Sequence, residues 1–352
     1  MTPARLLGLG RANPPHELPQ DVARDWARTH FSDRLPAFER MAPVFTNAGI
    51  AQRQIAMPIE WYLQPQNWAT RTTAYRDVAR TLFIAAAHDA LDAAGLAPGD
   101  IDIVVTVSST GIATPSLEAL AHAEIGFRPD IVRVPVFGLG CAGGVSGLAL
   151  AARLAAAQPG ARVLFVAVEL CSLSFREDMV SKANIVATAL FGDGAAAAVL
   201  STEGPAKVAV IAAGEHLWPE TIDVMGWDVA PHGLGVIFAQ SIPTLVTRHL
   251  RTALDGLCAG FGVAPDSIAR FVCHPGGAKV IDALEASLEL TPGSLDAERA
   301  VLANHGNMSA PTVLFVLQRL LAENALPTDR ASAMLALGPG FTLSGALLKP
   351  VP

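Results

Sequence analysis

Three short motifs hold the side chains able to do covalent chemistry. The first is Gly138-Leu139-Gly140-Cys141-Ala142-Gly143. It joins a β-rich run to an apolar helical run, so Cys141 is expected on a sharp strand-to-helix turn. Unpaired N–H groups and the helix dipole at such a turn favour a thiolate over a thiol. The bland alternative is a small buried filler, since free cysteine is usually buried. The second motif, Phe271-Val272-Cys273-His274-Pro275-Gly276-Gly277, ends a strand with a histidine before a chain break. His274 there either points into a cleft or is a satisfied structural histidine. Cys273 points the other way along the strand and packs. The third, Asn304-His305-Gly306-Asn307-Met308-Ser309-Ala310-Pro311-Thr312, opens an apolar helix over 313–321. Asn307 either caps that helix or aims its amide at a reacting carbonyl.

A thiol, an imidazole and an amide open more than one chemistry. Read literally, the first motif fits G-x-G-x-x-G between strand and helix. A later strand ends at Glu169, 169 − 143 = 26 residues beyond Gly143. That is the layout of a nicotinamide dehydrogenase fingerprint. A cysteine at the tip of the turn and a long α/β segment before it weigh against this reading. Cys, His and Asn also serve papain-like thiol hydrolases, whose fold does not suit the alternating pattern described below. The Cys and His positions show no C-x-x-C or H-x-x-x-H spacing, so no metal site is expected.

The composition narrows the classes further. The chain has 352 residues, a formal charge of −7, 51% apolar and 16% charged residues. That balance excludes a disordered chain and opposes a general nucleic-acid binder. Only four lysines occur, all at or after position 182, so an anionic ligand must be met by local arginines, backbone N–H groups or helix ends. The cysteines (Cys141, Cys171, Cys258, Cys273) suggest no disulfide framework. The apolar run 134–152 carries Pro135 and five glycines and reads as strand, turn and buried helix rather than a membrane span. No signal peptide is expected at the N-terminus. A cytoplasmic, non-membrane protein is expected.

Strands and helices alternate along the chain, which predicts an α/β layered fold. Strands are expected near 6–9, 101–107, 132–137, 163–168, 195–200 and 341–348, with 15–95 mostly helical around a break at 56–59. A weak repeat runs through the chain. Gly95-Leu96-Ala97-Pro98 and Gly262-Val263-Ala264-Pro265 each separate a helix from a strand, 167 residues apart (262 − 95). Phe191-Gly192-Asp193-Gly194 and Leu337-Gly338-Pro339-Gly340 each precede a strand, in the same order. Two duplicated halves are expected, with a boundary near 202–207.

Taken together, the motifs resemble the type III polyketide synthases of the chalcone and stilbene synthase superfamily, in its bacterial branch. The resemblance spans nearly the whole chain. It rests on Gly140-Cys141-Ala142-Gly143-Gly144, Leu190-Phe191-Gly192-Asp193-Gly194-Ala195, His274-Pro275-Gly276-Gly277, Gly306-Asn307-Met308-Ser309 and Gly338-Pro339-Gly340-Phe341. It implies a thiolase-like fold of two duplicated αβαβα halves in five layers, 1–204 carrying the cysteine and 205–352 the histidine and asparagine. It also implies a homodimer that uses malonyl-CoA and acyl-CoA as substrates, with no cofactor. A ketoacyl synthase III-like condensing enzyme is the near alternative, and a dehydrogenase the distant one.

By the resemblance, Cys141 is the acyl-carrying nucleophile, and His274 and Asn307 are its catalytic partners. Phe191 matches a phenylalanine between CoA tunnel and cavity. Ser174 and Ser309 match cavity positions, and Arg53 is a candidate contact for CoA phosphates. Cys171 stands where plant enzymes have a cavity threonine, and Thr114 where they have a methionine donated across the dimer. Val236 aligns with a second gatekeeper phenylalanine, unless a slip of two puts Phe238 there. These departures point away from chalcone chemistry and toward a longer aliphatic starter. The implied products are alkylpyrones, alkylresorcinols or other small aromatics. A His274–Cys141 ion pair is expected to lower the thiol pKa.

Overall fold

The long apolar runs of this chain become the middle of one sheet. The computed structural model describes residues 2–176, 178–231 and 233–351. Its strands are β1 (Ala4–Ala12), β2 (His16–Pro19), β3 (Gln52–Ile55), β4 (Ile103–Val107), β5 (Val132–Val136), β6 (Val163–Leu170), β7 (Asp193–Ser201), β8 (Val208–Leu217), β9 (Met225–Ala230), β10 (Gly233–Phe238), β11 (Arg270–Cys273), β12 (Ser332–Gly338) and β13 (Thr342–Pro350). Nine of them form a sheet in the order β11-β12-β13-β8-β1-β7-β6-β4-β5. β6 and β7 are buried at every position, as strands covered on both faces must be.

The duplication is visible in the pairing. β4–β6 and β11–β12 are parallel, while β6–β7–β1 and β12–β13–β8 are antiparallel. The repeat at 95 and 262 is structural as well. Gly95 and Gly262 end their helices at φ +66° and +72°, and each leads into a short 3₁₀ turn and then β4 or β11. The halves meet where Ala4 and Arg5 of β1 pair with Val210 and Ala209 of β8. Among the described residues, β5 in the first half has no counterpart in the second.

Helices complete the layers. Gly143–Ala157 and Pro311–Ala322 lie in the centre, in one core with residues from both halves of the sheet. Trp68–Ala94 and Leu117–Ile125 cover the outer face of the first half, and Ile242–Phe261 and Ala278–Ser287 that of the second. Close approach sets some residue types. A Cβ on Gly10 would lie 2.3 Å from the Ala90 backbone N, and one on Gly144 2.2 Å from the Ala310 carbonyl oxygen. The stretch 140–157 is long and apolar enough to cross a membrane, and it is the buried central helix.

Segment 15–95 is mostly helical, as its pattern implies, and it also holds two strands the pattern did not show, β2 and β3, which pair antiparallel with Leu18 opposite Arg53. Both strands are short and polar, and their pairing is non-local, so neither leaves a period-2 signal.

Candidate active site

The fold brings the three motifs to one buried cavity, lined by Cys141, His274 and Asn307 with Gly276, Met225, Phe238 and Ile242. Cys141 lies in a 3₁₀ turn, Gly140–Ala142, that runs into the first central helix. Gly140 has φ +47°, and a Cβ there would meet the Pro339 ring at 2.6 Å. The glycine therefore serves both the turn and the close approach of the Gly338-Pro339-Gly340 loop. His274 follows β11, and its backbone N–H donates to Leu335 O at 2.8 Å.

Asn307 is fixed on both sides. Its N–H donates to Leu190 O at 2.9 Å, and its carbonyl accepts from Gly192 N–H at 3.0 Å. It thereby forms a bridge with Phe191. Its side-chain Oδ1 accepts the Ser309 N–H at 2.8 Å, and its Nδ2 donates to Gly276 O at 3.2 Å. Asn307 is therefore not the helix cap; Ala310 holds that position. One amide N–H remains for a substrate oxygen. The Cys141 sulfur lies 3.9 Å from Oδ1.

The electrostatics differ from the expected ion pair. Burial pushes the Cys141 thiol up to about 11, against the opposing pull of bonds from Ser309 and Asn307. Burial alone pushes the His274 imidazole down to about 3. Both ring nitrogens of His274 lack a hydrogen-bond partner among the described residues. Desolvation penalises each charge, so burial favours the neutral thiol and the neutral imidazole. A neutral imidazole can still donate from its N–H.

Glu169, which a dehydrogenase reading would place on a ribose, is buried in β6. It accepts from Ser109 N at 2.9 Å and Thr110 Oγ1 at 2.8 Å, and burial raises it to about 8. It is fully buried, out of reach of a ribose, and burial favours its protonated form. No strand period marked it as a polar group beside the cavity.

The remaining expected residues separate. Phe191, Cys171, Ser174 and Arg53 line a second cavity with Trp26, Ile59, Tyr62 and Phe175. Ser174 Oγ donates to Cys171 O at 2.7 Å, and burial raises the Cys171 thiol well above its usual value. Phe191 links the two cavities. Its ring stands edge-on to Phe238, centroids 6.1 Å apart, and Phe238 lines the Cys141 cavity. Of the two candidates for the second gatekeeper position, Phe238 lines the Cys141 cavity, and Val236 is a buried residue outside these linings. Ser309, at φ +58°, is buried beside Cys141 and Asn307. Thr114 is exposed, away from both cavities. Cys258 and Cys273 pack in the core of the second half.

Arg53 is corrected as a CoA contact. It is 1% exposed, too deep to meet phosphates at a tunnel mouth. The cations at the surface are ones the sequence did not single out. Arg40, Lys182 and Lys279 line an open groove of about 730 Å³ that runs inward to Leu190, Phe238 and Gly276. No short motif marks them, because they come from three distant segments.

A duplicated thiolase-like fold with a buried Cys, His and Asn behind a cationic groove defines a condensing enzyme. Comparison with known proteins specifies it. Residues 1–204 match the N-terminal domain, and residues 209–352 the C-terminal domain, of chalcone and stilbene synthases. The chain belongs to the chalcone and stilbene synthase family and is a type III polyketide synthase. It is 37% identical to a putative chalcone synthase of Bacillus subtilis, over 96% of each chain. It is 38% identical to a 1,3,6,8-tetrahydroxynaphthalene synthase of Streptomyces peucetius, over 96% of this chain and 91% of that one. Among solved structures, the tetrahydroxynaphthalene synthase of Streptomyces coelicolor, a bacterial type III polyketide synthase, superposes with a TM-score of 0.94. It is 30% identical, and the match covers 99% of both chains. These matches support this class over the ketoacyl synthase III-like and dehydrogenase alternatives.

Proposed function

We propose that Cys141, His274 and Asn307 carry out iterative decarboxylative condensation of malonyl-CoA onto an acyl-CoA starter. CoA lies in the groove with its phosphates near Arg40, Lys182 and Lys279. As the Cys141 sulfur attacks the acyl thioester, His274 takes the thiol proton and returns it to the departing CoA sulfur. Malonyl-CoA then places its thioester carbonyl against His274 and the free N–H of Asn307. Loss of carbon dioxide leaves an enolate, whose oxygen accepts from both donors. The enolate carbon attacks the acyl-Cys141 carbonyl and frees the cysteine. The extended chain returns to Cys141 until ring closure. The reaction draws on no bound cofactor. The observation that carries this reading is that all three residues share one water-poor cavity, reached along a groove with three cations.

The second cavity, mostly apolar and reached past Phe191, supports a starter longer than coumaroyl in aliphatic length, with alkylpyrones, alkylresorcinols or related small aromatics as products. Incubation with malonyl-CoA and a panel of acyl-CoAs, read by mass spectrometry, tests this. If coumaroyl-CoA far outran every fatty acyl-CoA, the aliphatic assignment would be wrong.

A homodimer completes the reading. Val132 begins β5, the open edge of the large sheet, Phe137 follows it and Ile112 lies in the segment after β4; they are 52%, 60% and 57% exposed. Thr114 lies next to this patch in sequence, in reach of a second copy. Light scattering of the purified chain tests it, and a monomer at micromolar concentration would overturn it. The protein acts in the cytoplasm, where CoA thioesters are made, with the two halves divided near residue 204.

A further inference from the structure

Two buried polar residues that the reaction does not use, Arg53 and Gln54, are neighbours on β3. The strand is tied at both ends. Just before it, Ala51 N–H donates to Ala303 O at 2.8 Å, in the helix Asp296–His305. Just after it, Ala56 N–H donates to Asp193 Oδ2 at 2.6 Å. The helix leads into Asn307 through Gly306, and Asp193 follows Phe191 by two positions. β3 therefore lies along the two segments that form the Phe191–Asn307 bridge.

The side chains of β3 reach the bridge itself. His305 Nδ1–H donates to Gln54 Oε1 at 2.9 Å. A Cβ on Gly306 would lie 3.3 Å from Arg53 Cβ, and one on Gly192 3.2 Å from the same atom. The Arg53 stem thus packs against both glycines that flank the bridge. Gly306 has φ +66°, and a glycine leaves the chain freer than any other residue does. The helix end alone would not fix Asn307 across it. The bond at His305 and the stem beneath Gly306 remove that freedom. The backbone partners of Asn307, Leu190 and Gly192, belong to the segment that Arg53 and Ala56 hold. Both sides of the bridge rest on one short strand.

We propose that Gln54 is a positioning residue for Asn307: by holding His305, it sets where the Asn307 amide stands against the malonyl thioester carbonyl. The proposal rests on the polyketide synthase reading above and deepens it. Gln54 lines neither cavity nor the groove, so it acts through His305 and not on substrate. Its effect falls on enolate formation, which uses the free N–H of Asn307. Acyl transfer to Cys141, which uses His274, is spared.

Two variants of the full chain test this. Gln54→Leu removes the acceptor at similar volume. Gln54→Glu returns an acceptor oxygen for the His305 N–H. Carbon dioxide release from malonyl-CoA gives kcat and KM for decarboxylation. Intact-protein mass spectrometry gives the rate at which a fatty acyl-CoA loads Cys141, and melting curves confirm folding. In Gln54→Leu, kcat for carbon dioxide release should fall about tenfold, as a small misplacement of a reacting group does. Its KM and its loading rate should stay within about twofold of wild type. Gln54→Glu should restore most of the lost kcat. Unchanged carbon dioxide release in Gln54→Leu overturns the proposal. So does an equal fall in loading and release, or a Gln54→Glu no better than Gln54→Leu, because each marks a general loss of packing. If Gln54→Leu does not fold, His305→Phe runs the same test from the donor side. It keeps a ring against Phe315, and the same selective loss is expected. A wild-type protein that neither loads an acyl group nor releases carbon dioxide would instead sink the parent reading, and this one with it.

Discussion

The Cys141 sulfur faces the Asn307 amide oxygen at 3.9 Å, and that same oxygen accepts the Ser309 N–H at 2.8 Å. The Ser309 bond fixes which end of the amide meets the thiol. It also leaves the Nδ2 end on the side of Gly276, where one N–H is free for an enolate oxygen. The nucleophile and the enolate donor are thus held by a single amide, yet they serve separate steps. Cys141→Ala should abolish condensation and leave part of the malonyl-CoA decarboxylation. Asn307→Ala or His274→Ala should cut decarboxylation itself by about 10²–10³, the usual loss for one oxyanion donor. Carbon dioxide release measured beside polyketide formation checks this. Equal loss of both activities in folded Cys141→Ala would refute the division.

The protonation state of the resting site has a direct readout. Burial holds the Cys141 thiol near about 11 and the His274 imidazole near about 3, so neither is charged at neutral pH. Inactivation of the free enzyme by iodoacetamide should rise about tenfold per pH unit from pH 6 to 9, because only the thiolate reacts. Saturating acyl-CoA should protect. A rate that levels off below pH 8 would mean a standing thiolate–imidazolium pair, the arrangement expected from residue types alone.

The groove cations should act on binding and not on chemistry. Arg40→Ala, Lys182→Ala and Lys279→Ala each remove one charge from the groove wall. Each should raise the KM for malonyl-CoA several-fold with kcat little changed, and the effect should shrink at high salt. Steady-state kinetics at two ionic strengths checks this. A loss in kcat with KM untouched would place the CoA phosphates elsewhere.

Phe238 and Val236 allow a cleaner contrast. Phe238 stands edge-on to Phe191 and lines the Cys141 cavity, whereas Val236 pairs with Trp227 inside the β9–β10 hairpin. Phe238→Ala should change the range of starters accepted with little loss of melting temperature. Val236→Ala should lower stability by about 1–2 kcal/mol and leave the starter range alone. A starter panel and a thermal melt on both variants would expose a reversed pattern.

These contrasts mark what a one-dimensional reading can and cannot reach. Cys141, His274 and Asn307 were legible because each sits in a local motif whose glycines shape its own turn. The layered fold was legible because β6 and β7 are almost unbroken apolar runs. Arg53 was not, since its depth depends on β3 pairing with β2 more than thirty positions away. The second gatekeeper was ambiguous for a related reason. Residues two apart on a strand share a face, so Val236 and Phe238 differ only in how far along β10 the cavity lies. Charge states were least accessible, because burial decides them and burial comes from the whole fold.

Glu169 turns that last point into a stability experiment. Its carboxyl titrates near 4.5 in an open chain and is raised to about 8 in the fold, chiefly by burial. Between those values the folded chain keeps a proton that the unfolded chain has released. Its stabilising contribution is therefore complete at low pH and is lost as pH rises toward 8, at up to about 1.4 kcal/mol per pH unit. Asp193, raised to about 7, adds a fall of the same sign that ends sooner. Glu169→Gln keeps an acceptor for the Ser109 N–H and Thr110 hydroxyl and has no proton to lose. Its melting temperature should decline less than that of the wild type between pH 6 and 8.5, with the gap growing until pH reaches about 8, where the folded Glu169 loses its proton. Parallel pH curves for the two proteins would show that Glu169 is already ionised in the fold.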